Sequence, residues 1–79
     1  MLQKVPIKNS KILGQSLKEL DIRARTGSVI IAIEREGEII RPTPELTLQI
    51  EDDLYMIGDE GELKAARSIL VQEEPEEVN

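Results

Sequence analysis

Apolar and polar positions alternate in short blocks along this chain, and the period changes from block to block. Leu2, Val5 and Ile7 lie among Gln3, Lys4 and Lys8, the pattern of a short strand. Pro6 inside that run lacks a backbone donor, which places it at a sheet edge or a strand end. Ser16 is followed three residues later by Glu19. That spacing is a capping box, so a helix is expected to start at Ser16, with Leu17 and Leu20 facing inward. Residues 21–26 continue it as a second turn or a kinked extension. Gly27 is the natural stop, because glycine takes a positive φ without steric penalty.

Residues 28–33 form the strongest strand signal, almost continuously apolar and β-branched. Such a run is expected to be covered on both faces. Residues 34–38 read as a polar hairpin turn with Gly37 at the left-handed position, and residues 38–41 as the returning strand. Pro42 and Pro44 end it and start a rigid loop. Leu46, Leu48 and Ile50 alternate with polar residues, a weak strand or an extended loop. Glu51 and Asp52 turn the chain into a further buried strand over 53–58. Asp59 then caps a last helix, with Glu60 and Glu62 at its positive end. Leu63, Ala66, Ile69 and Leu70 make its apolar stripe, and Lys64 and Arg67 are expected on the solvent side. The order β-α-β-β-β-α predicts an α+β two-layer sandwich, a small mixed or antiparallel sheet of about four strands with two helices.

Length and composition narrow this. With 79 residues there is room for one domain only. The acidic run at 73–77, broken by Pro75, cannot bury apolar area. The chain therefore divides into a folded domain over 1–72 and a tail over 73–79 that is expected to be disordered. The net charge is −6, much of it in that tail, which argues against binding a nucleic acid polymer by net positive charge. Cysteine and histidine are both absent, which removes disulfides, thiol nucleophiles, zinc–thiolate sites and the usual proton shuttle at neutral pH. No apolar run approaches the roughly 20 residues of a membrane span, and the first ten residues lack the apolar core of a signal peptide. An acidic, soluble, cytoplasmic protein without direct membrane insertion is expected, and not an enzyme.

The candidate chemistry is sparse. Asp52, Asp53, Asp59 and Glu60 are the carboxylates nearest to forming a pair or a cation site, but a turn and a helix start account for them. The serines have no histidine partner. The better signal is Arg23 and Arg25 just ahead of Gly27 and Ser28. Arginine grips phosphate with two parallel hydrogen bonds, and a Gly-Ser turn offers backbone N–H donors. The alternative is a solvated helix face with ion pairs to Glu19 or Asp21. The aliphatic content also exceeds what so small a body covers by itself, and a homodimer would supply the missing cover for the strand over 29–33.

The ordered set Gly14-Gln15-Ser16-Leu17-Lys18-Glu19-Leu20-Asp21-Ile22-Arg23, Thr26-Gly27 and Val29-Ile30-Ile31-Ala32-Ile33 resembles the RCK C-terminal (TrkA-C) domain. The hairpin with Glu36-Gly37, the Pro42-Thr43-Pro44 segment and the acidic turn at 51–53 continue the likeness over most of the folded body. At that turn many members carry Gly-Asp where this chain has Glu51-Asp52. The resemblance implies a cytoplasmic regulatory and dimerisation domain of a potassium channel or transporter, with a membrane-embedded subunit as partner. In some members the dimer interface binds cyclic di-AMP. By motif position its contacts fall on Leu17 and Ile22 against the adenine, Arg23 on the phosphate, Ser28, Val29 and Ile30 at the strand start, and Pro42 or Pro44 as a wall. No cofactor is implied. The alternatives are a dimerisation module without a small ligand and a calcium-sensing module built on the interface carboxylates.

Overall fold

A computed structural model of the chain describes residues 1–71. Gln72 and the tail over 73–79 lie outside the described residues. The elements are β1 (Leu2–Pro6), a single 3-10 turn (Ser10–Ile12), α1 (Leu17–Leu20), α2 (Ile22–Thr26), β2 (Val29–Arg35), β3 (Glu38–Ile40), β4 (Asp53–Ile57) and α3 (Glu60–Leu70). The expected order holds, with its first helix divided in two. Asp21 sits at φ 50°, ψ 49° between α1 and α2, and that left-handed residue is the kink.

The four strands form one sheet in the order β1-β4-β2-β3, and every pairing is antiparallel. The strand nearest the C-terminus is inserted between the first two. Register places Val5, Leu54, Ile33 and Ile40 in one row across all four strands. Val5, Leu54 and Ile33 are wholly buried there, under Leu63, Ala66 and Leu70 of α3 and Leu20 and Ile22 of the split helix. Each such aliphatic side chain contributes roughly 1.5–3 kcal/mol on burial. Turn chemistry closes the sheet. Glu36 at φ 51° and Gly37 at φ 83° both take positive φ, as a two-residue hairpin requires.

The helix ends are satisfied in detail. Asp59 accepts from the Glu62 amide at 2.7 Å, and the Glu62 carboxylate accepts from the Asp59 amide at 2.8 Å, a complete capping box at the start of α3. At its other end, the Leu70 carbonyl accepts from the Lys8 and Asn9 amides at 3.0 and 3.1 Å. The buried Asn9 side chain donates to the Ile69 carbonyl at 2.9 Å and caps the 3-10 turn. That turn has no signal in the sequence pattern, since three residues carry no periodicity.

Two expectations are corrected, and the choice left open for residues 46–50 is decided. Strand β2 is covered on one face only, and Val29 and Ile31 are 39% and 45% exposed. Ile30 pairs with Met56 and Ala32 with Tyr55, so Ile31 is an extra residue in a bulge. The bulge resets the alternation, and a continuous apolar run then serves a half-covered strand. Residues 46–50 are an extended loop with one bridge, Thr47 to Ser16, and only Leu48 of its apolar residues is fully buried. Arg67 turns from solvent to the Gln3 side chain on β1.

Candidate functional site

The N-terminus of α1 is where the site begins. Ser16 caps it in the expected box, donating its amide to Glu19 at 2.8 Å and accepting the Glu19 amide at 3.1 Å. Two further first-turn amides find partners in the loop after β3. The Leu17 amide donates to the Leu46 carbonyl and the Lys18 amide to the Pro44 carbonyl, both at 2.9 Å. Helix ends always leave such donors over, and here they draw the proline segment against the helix. Between that segment, α1, α2 and the start of β2 lies an open depression of about 420 Å³.

All eight positions singled out in the sequence line this depression. Leu17 and Ile22 come from the helices, Ser28, Val29 and Ile30 from the β2 start, Pro42 and Pro44 from the loop, and Arg23 from α2. Ile22 is buried and Leu17 and Ile30 are half-buried, so the floor is apolar. Lys18, Asp21 and Thr43 also line it. Sequence reasoning missed these three, though the helical spacing of Lys18 and Asp21 about the apolar Leu17 and Ile22 was a usable signal.

The two arginines separate. Arg25 folds back to donate to the Leu20 carbonyl at 3.2 Å, and it does not line the depression. Arg23 is exposed. Among the described residues its guanidinium has no hydrogen bond or ion pair, so the anticipated pairing with Glu19 or Asp21 is not made. None of its five donors is used among the described residues, and the residue lines the depression.

The Gly-Ser turn behaves differently from expectation. Its N–H groups are already used, Gly27 toward the Arg23 carbonyl at 2.8 Å and Ser28 toward Thr26 Oγ1 at 3.0 Å. Thr26 donates its one hydroxyl proton to the Ile22 carbonyl at 2.8 Å. The 2.6 Å contact between the Thr26 and Ser28 hydroxyls therefore has Ser28 as donor. The wholly buried Ser28 fixes the α2–β2 junction and offers a ligand no proton. The positively charged side chains on the lining are those of Arg23 and Lys18. Gly27 is tight for a second reason. It sits at φ 87°, and a Cβ there would meet the Glu62 carboxylate at 2.6 Å.

The carboxylates do other work. Asp59 caps α3. Asp53 lies 3.8 Å from Lys4 on the open face of the sheet. Asp52 is buried and accepts from Arg35 Nε at 2.9 Å and Nη2 at 2.8 Å, and from the Gln49 amide at 2.9 Å. Burial pushes its carboxyl up, but the Arg35 hydrogen bonds, the Gln49 amide and the Arg35 charge outweigh that and hold it below the usual value. The same hydrogen bonds raise Arg35. Among the described residues, no group of three or more metal-ligating side chains converges. Nor is any helix there long and apolar enough to cross a membrane.

Comparison with known proteins places these features in a wider set. The profile of the TrkA-C domain matches residues 2–71. The probable potassium channel protein 2 of Methanocaldococcus jannaschii is 39% identical over 64 residues, which are 80% of this chain and 19% of the relative. The chain thus spans about a fifth of that relative's length. Among solved structures, the RCK_C domain dimer of S. agalactiae BusR in complex with c-di-AMP superposes with a TM-score of 0.77 at 30% identity, covering 85% of this chain and 91% of that one. BusR has also been solved with its busAB-promotor DNA, where the match covers 34% of its chain. The RCK C domain of the potassium transport protein KtrA in complex with c-di-AMP gives a TM-score of 0.73 at 42% identity, covering 80% of this chain and 74% of that one.

Proposed function

The chain belongs to the TrkA-C domain family, and from that premise we propose that it is a regulatory, ligand-sensing domain of a potassium-transport system. It binds cyclic di-AMP in the depression and acts as a homodimer in the cytoplasm, beside a membrane-embedded channel or transporter subunit. No catalysis is part of this role. The carrying observation is the convergence of Leu17, Ile22, Arg23, Ser28, Val29, Ile30, Pro42 and Pro44 on one depression whose arginine has no side-chain partner among the described residues.

The chemistry fits a dinucleotide. An adenine is flat and largely apolar, and the floor offers Leu17, Ile22 and Ile30 beneath a proline wall. A phosphodiester carries one negative charge, and Arg23 supplies a planar fork of donors for it. A cyclic dinucleotide is two-fold symmetric, as is the simplest dimer. Two Arg23 guanidinium groups near a shared axis repel when the site is empty and are neutralised when two phosphates fill it. The ligand then favours the arrangement that brings the two depressions together, and only that difference in affinity drives a change of state.

Thermal melting with cyclic di-AMP tests this, with linear di-AMP and ATP as controls. At 100 times its dissociation constant a ligand adds about 2.7 kcal/mol of stability, which raises the midpoint by roughly 10 °C or more in a domain this small. The shift is expected for the cyclic dinucleotide and lost in Arg23→Ala, whose own melting point stays at the wild-type value. Equal shifts in wild type and Arg23→Ala, or none at saturating ligand, would overturn the assignment. The second outcome would leave a dimerisation module, the reading favoured by the exposed Val29 and Ile31.

A further inference from the structure

The Arg35–Asp52 pair lies apart from the depression, yet it is tied to the depression's far wall. Arg35 ends β2. It clasps Asp52 with two parallel hydrogen bonds and donates from Nη2 to the Thr47 carbonyl at 3.1 Å. Asp52 in turn accepts the Gln49 amide. One guanidinium and one carboxylate thus fasten residues 47, 49 and 52 to the sheet. The same loop, a few residues earlier, gives its Leu46 and Pro44 carbonyls to the Leu17 and Lys18 amides of α1. Thr47 is also the residue bridged to Ser16, the cap of α1.

We propose that Arg35 and Asp52 are positioning residues for the binding depression, acting through the loop over 42–52. That loop is a strap, fastened at one end by the ion pair and at the other to the first turn of α1. The strap sets the distance between Pro44 on one side and Leu17 and Lys18 on the other. A helix of four residues has little stability of its own, so its place depends on these external hydrogen bonds. Loosening the ion pair frees Thr47 and Gln49, and the slack reaches the wall within three residues. Arginine serves better than lysine, because the fork holds a carboxylate and a carbonyl together, whereas an ammonium would keep the charge pairing and lose that geometry.

This inference rests on the reading that the depression takes a cyclic dinucleotide, and the test separates the two. Amide hydrogen exchange is measured without ligand for wild type, Asp52→Asn, Arg35→Lys and a control, Asn9→Ala. The control removes a hydrogen bond to the Ile69 carbonyl at the end of α3, made by a residue that neither lines the depression nor bonds to the loop over 42–52. Exchange at Leu17 and Lys18 is expected to accelerate in the first two variants relative to Leu63 in α3, and to keep its ratio in the control. Titration with cyclic di-AMP is expected to show affinity lower by about tenfold in Asp52→Asn, the scale at which supporting residues act on a site, and a smaller loss in Arg35→Lys. An unchanged exchange ratio in both variants overturns the proposal. So does an affinity loss no larger than that of the Asn9→Ala control. If the wild type does not bind the dinucleotide, the functional reading fails, and the exchange ratio alone decides whether the strap positions the wall.

Discussion

Glu51 holds a backbone conformation that glycine takes freely and other residues do not, with φ at 75°. Many members of the family carry Gly-Asp where this chain has Glu51-Asp52, and the positive φ gives that glycine a physical reason. Here a glutamate accepts the strain at a gain of only an exposed ion pair to Lys8 at 3.6 Å. A left-handed residue with a side chain costs roughly 1–2 kcal/mol. The greater freedom of glycine in the unfolded chain returns part of that, and the exposed pair is worth little. Glu51→Gly is therefore expected to stabilise the domain by about 0.5 kcal/mol, a rise of about 2–4 °C in the melting midpoint. A lower midpoint would show that the ion pair outweighs the strain. Arg23 is the opposite kind of residue. Its guanidinium supports no neighbour among the described residues, so its substitution tests the ligand alone. Ser28 is a third kind, a residue on the site's lining whose hydroxyl is spent on the fold.

At the scale of elements, the short helices are held by their ends. Alpha-3 is three turns long and starts with Asp59 and Glu62 satisfying each other's amides. Removing that cap in Asp59→Ala is expected to lower stability by about 1 kcal/mol, or about 4–8 °C in a domain of this size. A loss below 1 °C in differential scanning calorimetry would mean that packing of Leu63, Ala66 and Leu70 alone fixes the helix start. Glu62 also borders Gly27 and Gly58, so the same cap lies against the α2–β2 junction that carries Arg23 and Ser28. Helices α1 and α2 are shorter still, and the left-handed Asp21 between them turns Leu17, Ile22 and Arg23 toward one depression. A straight helix would spread those positions around its circumference at about 100° per residue.

The whole molecule has one covered and one open sheet face. On the open face Leu2, Ile57 and Val29 stand in register across three strands, each exposed, with Ile31 in the adjacent bulge. Further along, Lys4, Glu34, Asp53 and Tyr55 form a polar group, in which the Tyr55 hydroxyl donates to Glu34 at 2.8 Å. A single copy of a domain this small buries a modest share of its surface, and apolar residues left together in this way suit association. If the homodimer is the folded unit, the melting midpoint is expected to rise with protein concentration, because mass action stabilises only the associated state. A midpoint constant over a hundredfold range of concentration, with a monomer mass by sedimentation, would exclude the dimer.

Much of this protein was decided by its sequence. Capping boxes at Ser16 and Asp59, the glycine stop at Gly27 and the Glu36-Gly37 turn act over three or four residues, and local chemistry suffices to place them. The strand run over 29–33 is equally local as far as its existence goes. The eight proposed site positions come from the ordered family pattern, and the fold brings all eight to one depression. What only tertiary structure decided depends on contacts distant in the chain. The bulge at Ile31 arises from pairing with β4, some 25 residues away, so the uncovered face of β2 is invisible in the run itself. The Arg35–Asp52 clasp spans 17 positions. The Leu17 and Lys18 amides are taken by the Leu46 and Pro44 carbonyls, with β2 and β3 lying between them in the chain. Local patterns fix which elements form, because their hydrogen bonds close within a few residues. Which donors remain free for a ligand is settled by the partners that folding brings from elsewhere.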